Sequence, residues 1–197
     1  SETIKWAAHP DRKYTYLQTY SAFDSVLRYL NSYRATARDL YGYAATSKQI
    51  AWCTPAYVAD TDAQAIDEAR PHIQTMFNKL LPKISQSMFV PPGYMSNESM
   101  KQIFAHKATL RGGQTIEDMI ARGVIAVGSP DTVRSILTER HRQAGFDHLL
   151  LMPQFGTMPG NLAQKNIRLL AAEVIPALQT LNDDDYIGFE PAAAAAE

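Results

Sequence analysis

Apolar positions along this chain switch between two periods. From about residue 22 to 41, Phe23, Val26, Leu27, Leu30, Ala37 and Leu40 recur at the three-to-four spacing of one helix face, and Gly42 supplies a stop. A second helical run carries Ala63, Ile66, Ala69, Ile73, Met76 and Leu80. Asp60-Thr61-Asp62 precedes it and suits the electropositive start of a helix. A third begins at Ser129-Pro130, a side-chain cap followed by proline in the first helical position. Its stripe is Val133, Ile136, Leu137 and Ala144, and Gly145 fits a left-handed C-cap. The pattern also predicts a short helix over residues 2–8, with Ser1 as its N-cap, and a last helix over 161–178.

Strand character appears in three places: residues 13–17 (Lys-Tyr-Thr-Tyr-Leu), about 49–58, and 146–152. Leu149 to Met152 is apolar throughout, as expected of a strand buried on both faces. Strands separated by amphipathic helices imply a parallel β/α architecture. Three strands make an open wedge, whereas a complete (β/α)8 barrel needs roughly 250 residues. The count therefore fits part of a barrel or a very small open sheet. Pro82, Pro91, Pro92 and Gly93 interrupt the pattern, and residues 84–123 read as an irregular excursion with short helices at 97–106 and 115–122. One unit over residues 1–181 is expected, with a lid-like insertion at about 84–127. The alanine-rich tail at 182–197 is expected to be frayed at its end, and the start at Ser1, without Met, reads as if cut from something longer.

Composition removes several functions. With 19 basic against 20 acidic side chains, no stretch is dense enough for a nucleic-acid footprint. Cys53 is the sole cysteine, so no internal disulfide exists, and the expectation is a buried, inert thiol. No apolar run approaches the ~20 residues that span a bilayer. No signal peptide opens the chain, which leaves the cytoplasm as the expected compartment. The five histidines are scattered, without the close spacing of metal ligands, and no P-loop, dinucleotide or nucleophile-elbow pattern occurs.

Four segments, in order, carry a resemblance. They are Ser1-Glu-Thr-Ile-Lys-Trp-Ala-Ala8, Tyr57-Val-Ala-Asp-Thr-Asp-Ala-Gln-Ala65, Val127-Gly-Ser-Pro-Asp-Thr-Val133, and Phe146 to Pro159 followed by Glu173-Val-Ile-Pro176. Together they resemble the C-terminal half of the bacterial luciferase-like flavin-dependent monooxygenases, an α/β family built on a (β/α)8 TIM barrel. The resemblance implies reduced FMN supplied by a flavin reductase, O2 as co-substrate, a small organic substrate, and the N-terminal half of the barrel as a missing partner. A homodimer is also in keeping with the family.

Residue by residue, the resemblance places Thr3 and then Ser1 at the flavin phosphate, a helix start with free N–H groups. Tyr14 and Tyr16 would line the flavin or substrate cavity. Lys107 and Arg111 are the candidates for the basic residue of a mobile loop that closes over the flavin and excludes water. Tyr94, Gln154 and Phe155 are possible substrate contacts. No residue is assigned to the chemistry itself, since the groups expected to hold the flavin ring lie in the missing half, and this piece alone is expected to be inactive. Three alternatives remain open: a flavin-binding or structural subunit without turnover, a deazaflavin (F420)-dependent oxidoreductase of the same superfamily, and a folding or docking fragment that exposes apolar barrel edge and self-associates through it.

Overall fold

The computed structural model describes residues 2–19, 21–84, 113–182 and 186. The elements run α1 (Glu2–Ala7), β1 (Tyr16–Thr19), α2 (Phe23–Tyr41), β2 (Ile50–Val58), α3 (Asp62–Thr75), α4 (Ile116–Ala121), β3 (Ala126–Gly128), α5 (Pro130–Ala144), β4 (His148–Met152) and α6 (Gly160–Leu169). A π-helical turn at Leu170–Val174 and a last turn, α7 (Ile175–Leu178), continue α6. Proline has no N–H to return to the preceding turn, and the wider π turn comes just before Pro176.

Every strand pairing among the described residues is parallel, and β2 sits at the centre. β1 pairs with Ile50 to Cys53 of β2, and β4 pairs with Ala51 to Pro55. β1, β2 and β4 are the three strands legible from the sequence. β3, three residues long, is an accessory that meets only the end of β2, from Ala56 to Val58. β2 and β4 are therefore neighbours in the main sheet, joined by a long connection that carries α3, α4, β3 and α5.

The apolar periodicity explains the layers. Phe23, Val26, Leu27, Leu30, Tyr33 and Ala37 of α2 are buried against Tyr16, Ile50 and Trp52 of the sheet. Phe23 and Trp52 meet edge-on at 5.1 Å, and Tyr16 stacks on Tyr33 at 5.3 Å. Burying each such side chain contributes about 1.5–3 kcal/mol. A second cluster collects at the far end of β2: Tyr57 and Ala59 with Ala65, Ala69 and Ile73 of α3, Ile116 and Met119 of α4, and Phe155 and Met158.

Local chemistry sets the ends. Gly42 and Gly145 adopt left-handed conformations at the C-caps of α2 and α5. Thr61 caps α3 by accepting from Gln64 N–H, Thr115 and Asp118 form a capping box on α4, and Ser129 caps α5. β1 begins three residues later than the pattern suggests. Lys13 sits at φ 46 in a turn, and the Tyr14 carbonyl accepts from the Tyr33 hydroxyl at 2.9 Å instead of joining a ladder.

Asn166 of α6 does the work of a strand residue. Its Oδ1 accepts from Val58 N–H at 2.8 Å, and its Nδ2 donates to the carbonyls of Ala56 at 2.8 Å and Pro153 at 2.9 Å. Accepting from one residue and donating to the carbonyl two residues earlier is what a peptide unit does in a parallel ladder. The side chain thus extends the pairing of β2 beyond the end of β4.

Candidate functional site

Residues paired across a parallel ladder point to the same side of the sheet. Tyr16, Ile50, Trp52, Leu149 and Leu151 face α2 and α5. The opposite face carries two rows in register: Leu17, Ala51 and His148, then Thr19, Cys53 and Leu150. This second face is open at Leu17, His148 and Leu150, partly covered at Thr19 and Cys53, and closed at Ala51. Leu17 is 40% exposed and Leu150 46%, where the apolar run had implied burial on both faces. The reason is architectural: among the described residues no helix covers these rows, so half of β4 looks outward. Cys53 is partly rather than fully buried, and that burial pushes its thiol above the ordinary value.

At the C-terminal ends of the strands, where this architecture places its sites, several helix starts are already occupied. The Asp62 carboxylate accepts from Ser129 N–H at 2.6 Å and from the Thr132 hydroxyl at 3.1 Å, so an anion already caps α5. The Ser129 amide, then the Thr132 hydroxyl, hold the Asp62 carboxyl below its usual range. The Arg122 carbonyl accepts the first amide of α2, from Phe23, at 2.8 Å. By contrast, α6 starts after Pro159 with no side-chain cap.

A polar cluster links β2, α3 and α6. Tyr57 donates its hydroxyl to Glu68 at 2.7 Å, Gln64 donates to the same carboxylate at 2.9 Å, and Lys165 reaches both oxygens at 3.1 Å. Burial opposes ionisation of Glu68, but the donors outweigh it and its carboxyl lies below the usual range. Burial, and then the neighbouring carboxylate, push the Tyr57 phenol upward. With every member partnered, the cluster ties helices to the sheet and leaves no free acid or base.

The sequence-derived candidates fall in separate places. Thr3 is exposed in the first turn of α1. Tyr14 lies in the turn before β1, 51% exposed, with its ring 5.3 Å from Trp6. Tyr16 points the other way, buried against Tyr33, so the two tyrosines do not share one cavity wall. The strand starts only at Tyr16, and the strict alternation that would align them is absent. Gln154 is exposed and donates to the Met158 carbonyl at 3.3 Å. Phe155 is buried edge-on to Tyr57 in the second core cluster, a packing role. Ser1, Tyr94, Lys107 and Arg111, and the helix expected over 97–106, lie outside the described residues. The open rows were not singled out from sequence, although the alternation of 16–19 and 148–152 carries them.

No protein-family model matches the chain, and no curated protein does either. Solved structures do. The oxygenating constituent of 3,6-diketocamphane monooxygenase from the CAM plasmid of Pseudomonas putida, a type II Baeyer-Villiger monooxygenase in complex with FMN, aligns with a TM-score of 0.62 at 20% identity, over 89% of this chain and 46% of that one. Monooxygenase RslO1 from Streptomyces bottropensis aligns with a TM-score of 0.57 at 18% identity, over 90% of this chain and 45% of that one. The chain thus spans less than half the length of these proteins. With parallel strands joined through helices, one face under helices and the other partly open, it has the fold of about half of each of these two monooxygenase chains.

Proposed function

We infer that this chain is the C-terminal half of a reduced-flavin-dependent monooxygenase, which uses O2 to oxygenate a small organic substrate. The observation that carries this reading is the likeness to a monooxygenase solved with FMN, over 89% of this chain. The order of the four sequence segments assigns the C-terminal half. Reduced FMN, when bound, supplies the electrons that activate O2.

The chain's own residues fit part of a flavin site. The exposed Thr3 hydroxyl on the first turn of α1 suits a phosphate oxygen. Tyr14, exposed beside Trp6, offers aromatic surface near the same helix, while Gln154 stands at the exit of β4. These groups bind and orient; the ring of the flavin and the proton-transfer groups fall to the remaining half. The 197-residue chain by itself is therefore inactive.

Two measurements test this. The chain alone, supplied with chemically reduced FMN, is expected to consume no O2 beyond the uncatalysed rate; substrate-dependent uptake by the chain alone overturns the half-site reading. The whole protein, denatured after purification from cells supplied with riboflavin, is expected to release a compound with the absorption and mass of FMN. Release of a deazaflavin instead would transfer the reading to hydride chemistry with F420. Tight FMN with no O2 uptake by the whole protein, in the presence of a flavin reductase, would make it a binding subunit.

A further inference from the structure

A groove of about 500 Å3 opens on the helix side of the sheet, between α5, β4 and α7. Leu137 of α5, Phe146 ahead of β4, Leu149 and Leu151 within it, Leu178 of α7 and Leu181 just after it line the groove. Leu149, Leu151, Leu178 and Leu181 are only partly buried. α7 is a single turn, and a turn of that length is not held by its own hydrogen bonds. Both walls are this chain's own helices, so the groove lies apart from the open sheet face that the rest of a barrel would cover.

Tyr186 marks where the chain goes after α7. Its ring centroid lies 4.9 Å from the Arg34 guanidinium carbon. The ring also rests on Gly145, where a Cβ would come within 2.8 Å of two ring carbons. Arg34 in turn donates to the carbonyls of Ala144 at 2.6 Å and Gly145 at 3.0 Å. The ring is thereby held over the C-terminal end of α5, one residue from Phe146 of the groove. From residue 182 to residue 197 the only large apolar side chains are Tyr186, Ile187 and Phe189. Asp183-Asp-Asp185 before them and Glu190 after them bound that stretch.

We propose that residues 187–189 (Ile-Gly-Phe), which lie outside the described residues, fill this groove and strap α7 to α5. Tyr186 fixes their start at its rim, and three extended residues reach about 10 Å, so the tether confines them to the neighbourhood of Phe146. An extended Ile-Gly-Phe sets both apolar side chains on one side. The leucine lining takes such side chains and rejects the flanking carboxylates. Attachment through Tyr186 makes the contact intramolecular, which favours the tail over a free partner of similar chemistry. The inference rests on the groove and the contacts of Tyr186, and not on flavin binding.

The test uses the full 197-residue chain with Cys53→Ser and a nitroxide attached through Glu190→Cys. The expected result is broadening of the methyl signals of Leu149, Leu151 and Leu178, stronger than that of Leu17 on the reverse face of the sheet. It is expected to persist when the labelled chain is mixed with an excess of unlabelled chain. Ile187→Ser and Phe189→Ser change only the tail, so circular dichroism is expected to show both folded. Each is expected to weaken the broadening and to speed hydrogen exchange of the Leu178 amide about tenfold. No broadening, or broadening stronger at Leu17 than at Leu178, overturns the proposal. So does broadening lost on mixing, which would put the tail of a second copy in the groove, or a Leu178 amide indifferent to both substitutions.

Discussion

Asn166→Ala is the sharpest test of how this sheet is held together. The side chain is fully buried and makes three hydrogen bonds, to the Val58 N–H and to the carbonyls of Ala56 and Pro153. Truncation leaves one buried donor and two buried acceptors without that partner. An unsatisfied buried group costs about 1–3 kcal/mol, carbonyls less than N–H groups because a second lone pair can be served elsewhere. A water entering the small space recovers some of this. The balance is a loss of about 3–5 kcal/mol, a fall in melting temperature of about 6–20 °C for a domain of this size.

Asn166→Asp is nearly isosteric and keeps an acceptor for Val58, but sets an oxygen against the Ala56 and Pro153 carbonyls; it is expected to lose at least as much. The assay is urea unfolding followed by far-UV circular dichroism, at one fixed protein concentration. Hydrogen exchange of the Val58 amide accompanies it and is expected to speed up in the alanine variant. A loss under about 1 kcal/mol with Val58 protection unchanged would refute the view that Asn166 substitutes for a strand.

Other outcomes follow from single contacts. Asp62→Ala removes the acceptor at the start of α5 and is expected to cost about 1 kcal/mol at neutral pH. Because the folded Asp62 carboxyl titrates below its unfolded value, its contribution is complete above the unfolded value and disappears as pH falls through the folded one; the wild-type and Asp62→Ala unfolding curves are therefore expected to converge in acid. Gly156→Ala places a Cβ 2.1 Å from the His72 carbonyl oxygen at a backbone φ of +59, and a destabilisation of about 3 kcal/mol is expected in urea unfolding. The Cys53 thiol, raised by burial, is expected to react slowly with maleimide at pH 7 and progressively faster beyond pH 9, measured on dilute protein; a plateau already reached by pH 8 contradicts the assigned burial.

The three long helices were legible because each buries a single stripe, so local period reports tertiary position. Phe23 to Ala37 and Val133 to Ala144 show this, with Gly42 and Gly145 ending their helices where the sequence placed them. Strand boundaries were less legible. Tyr14 has the composition of a strand residue, but its carbonyl is bonded to Tyr33, nineteen positions away, and no local signal announces that. β3 has no legible signature although Val124 to Val127 lies between two glycines, because three residues beside a long excursion give no period to read. Asn166 was invisible for a stronger reason: its meaning depends on Val58, 108 positions earlier, and a polar residue on a helix ordinarily reads as solvent-facing. Of the site candidates, Thr3, Tyr14 and Gln154 lie at the surface, whereas Tyr16 and Phe155 are packed inside.

The run from Leu149 to Leu151 shows where sequence and structure pull apart, and why. A strand with one face in water alternates apolar with polar residues, and an isolated sheet of three strands would be expected to do so. Here Leu150 stands among leucines that face the helices, and Leu17, two rungs removed across β2, repeats the choice on β1. Polar residues at both positions would have cost the chain nothing if water were their final surroundings. Their apolar character, with Cys53 between the strands and no charge in either row, is the composition of an interior. The strands thus carry two faces of interior composition, and among the described residues helices cover one of them.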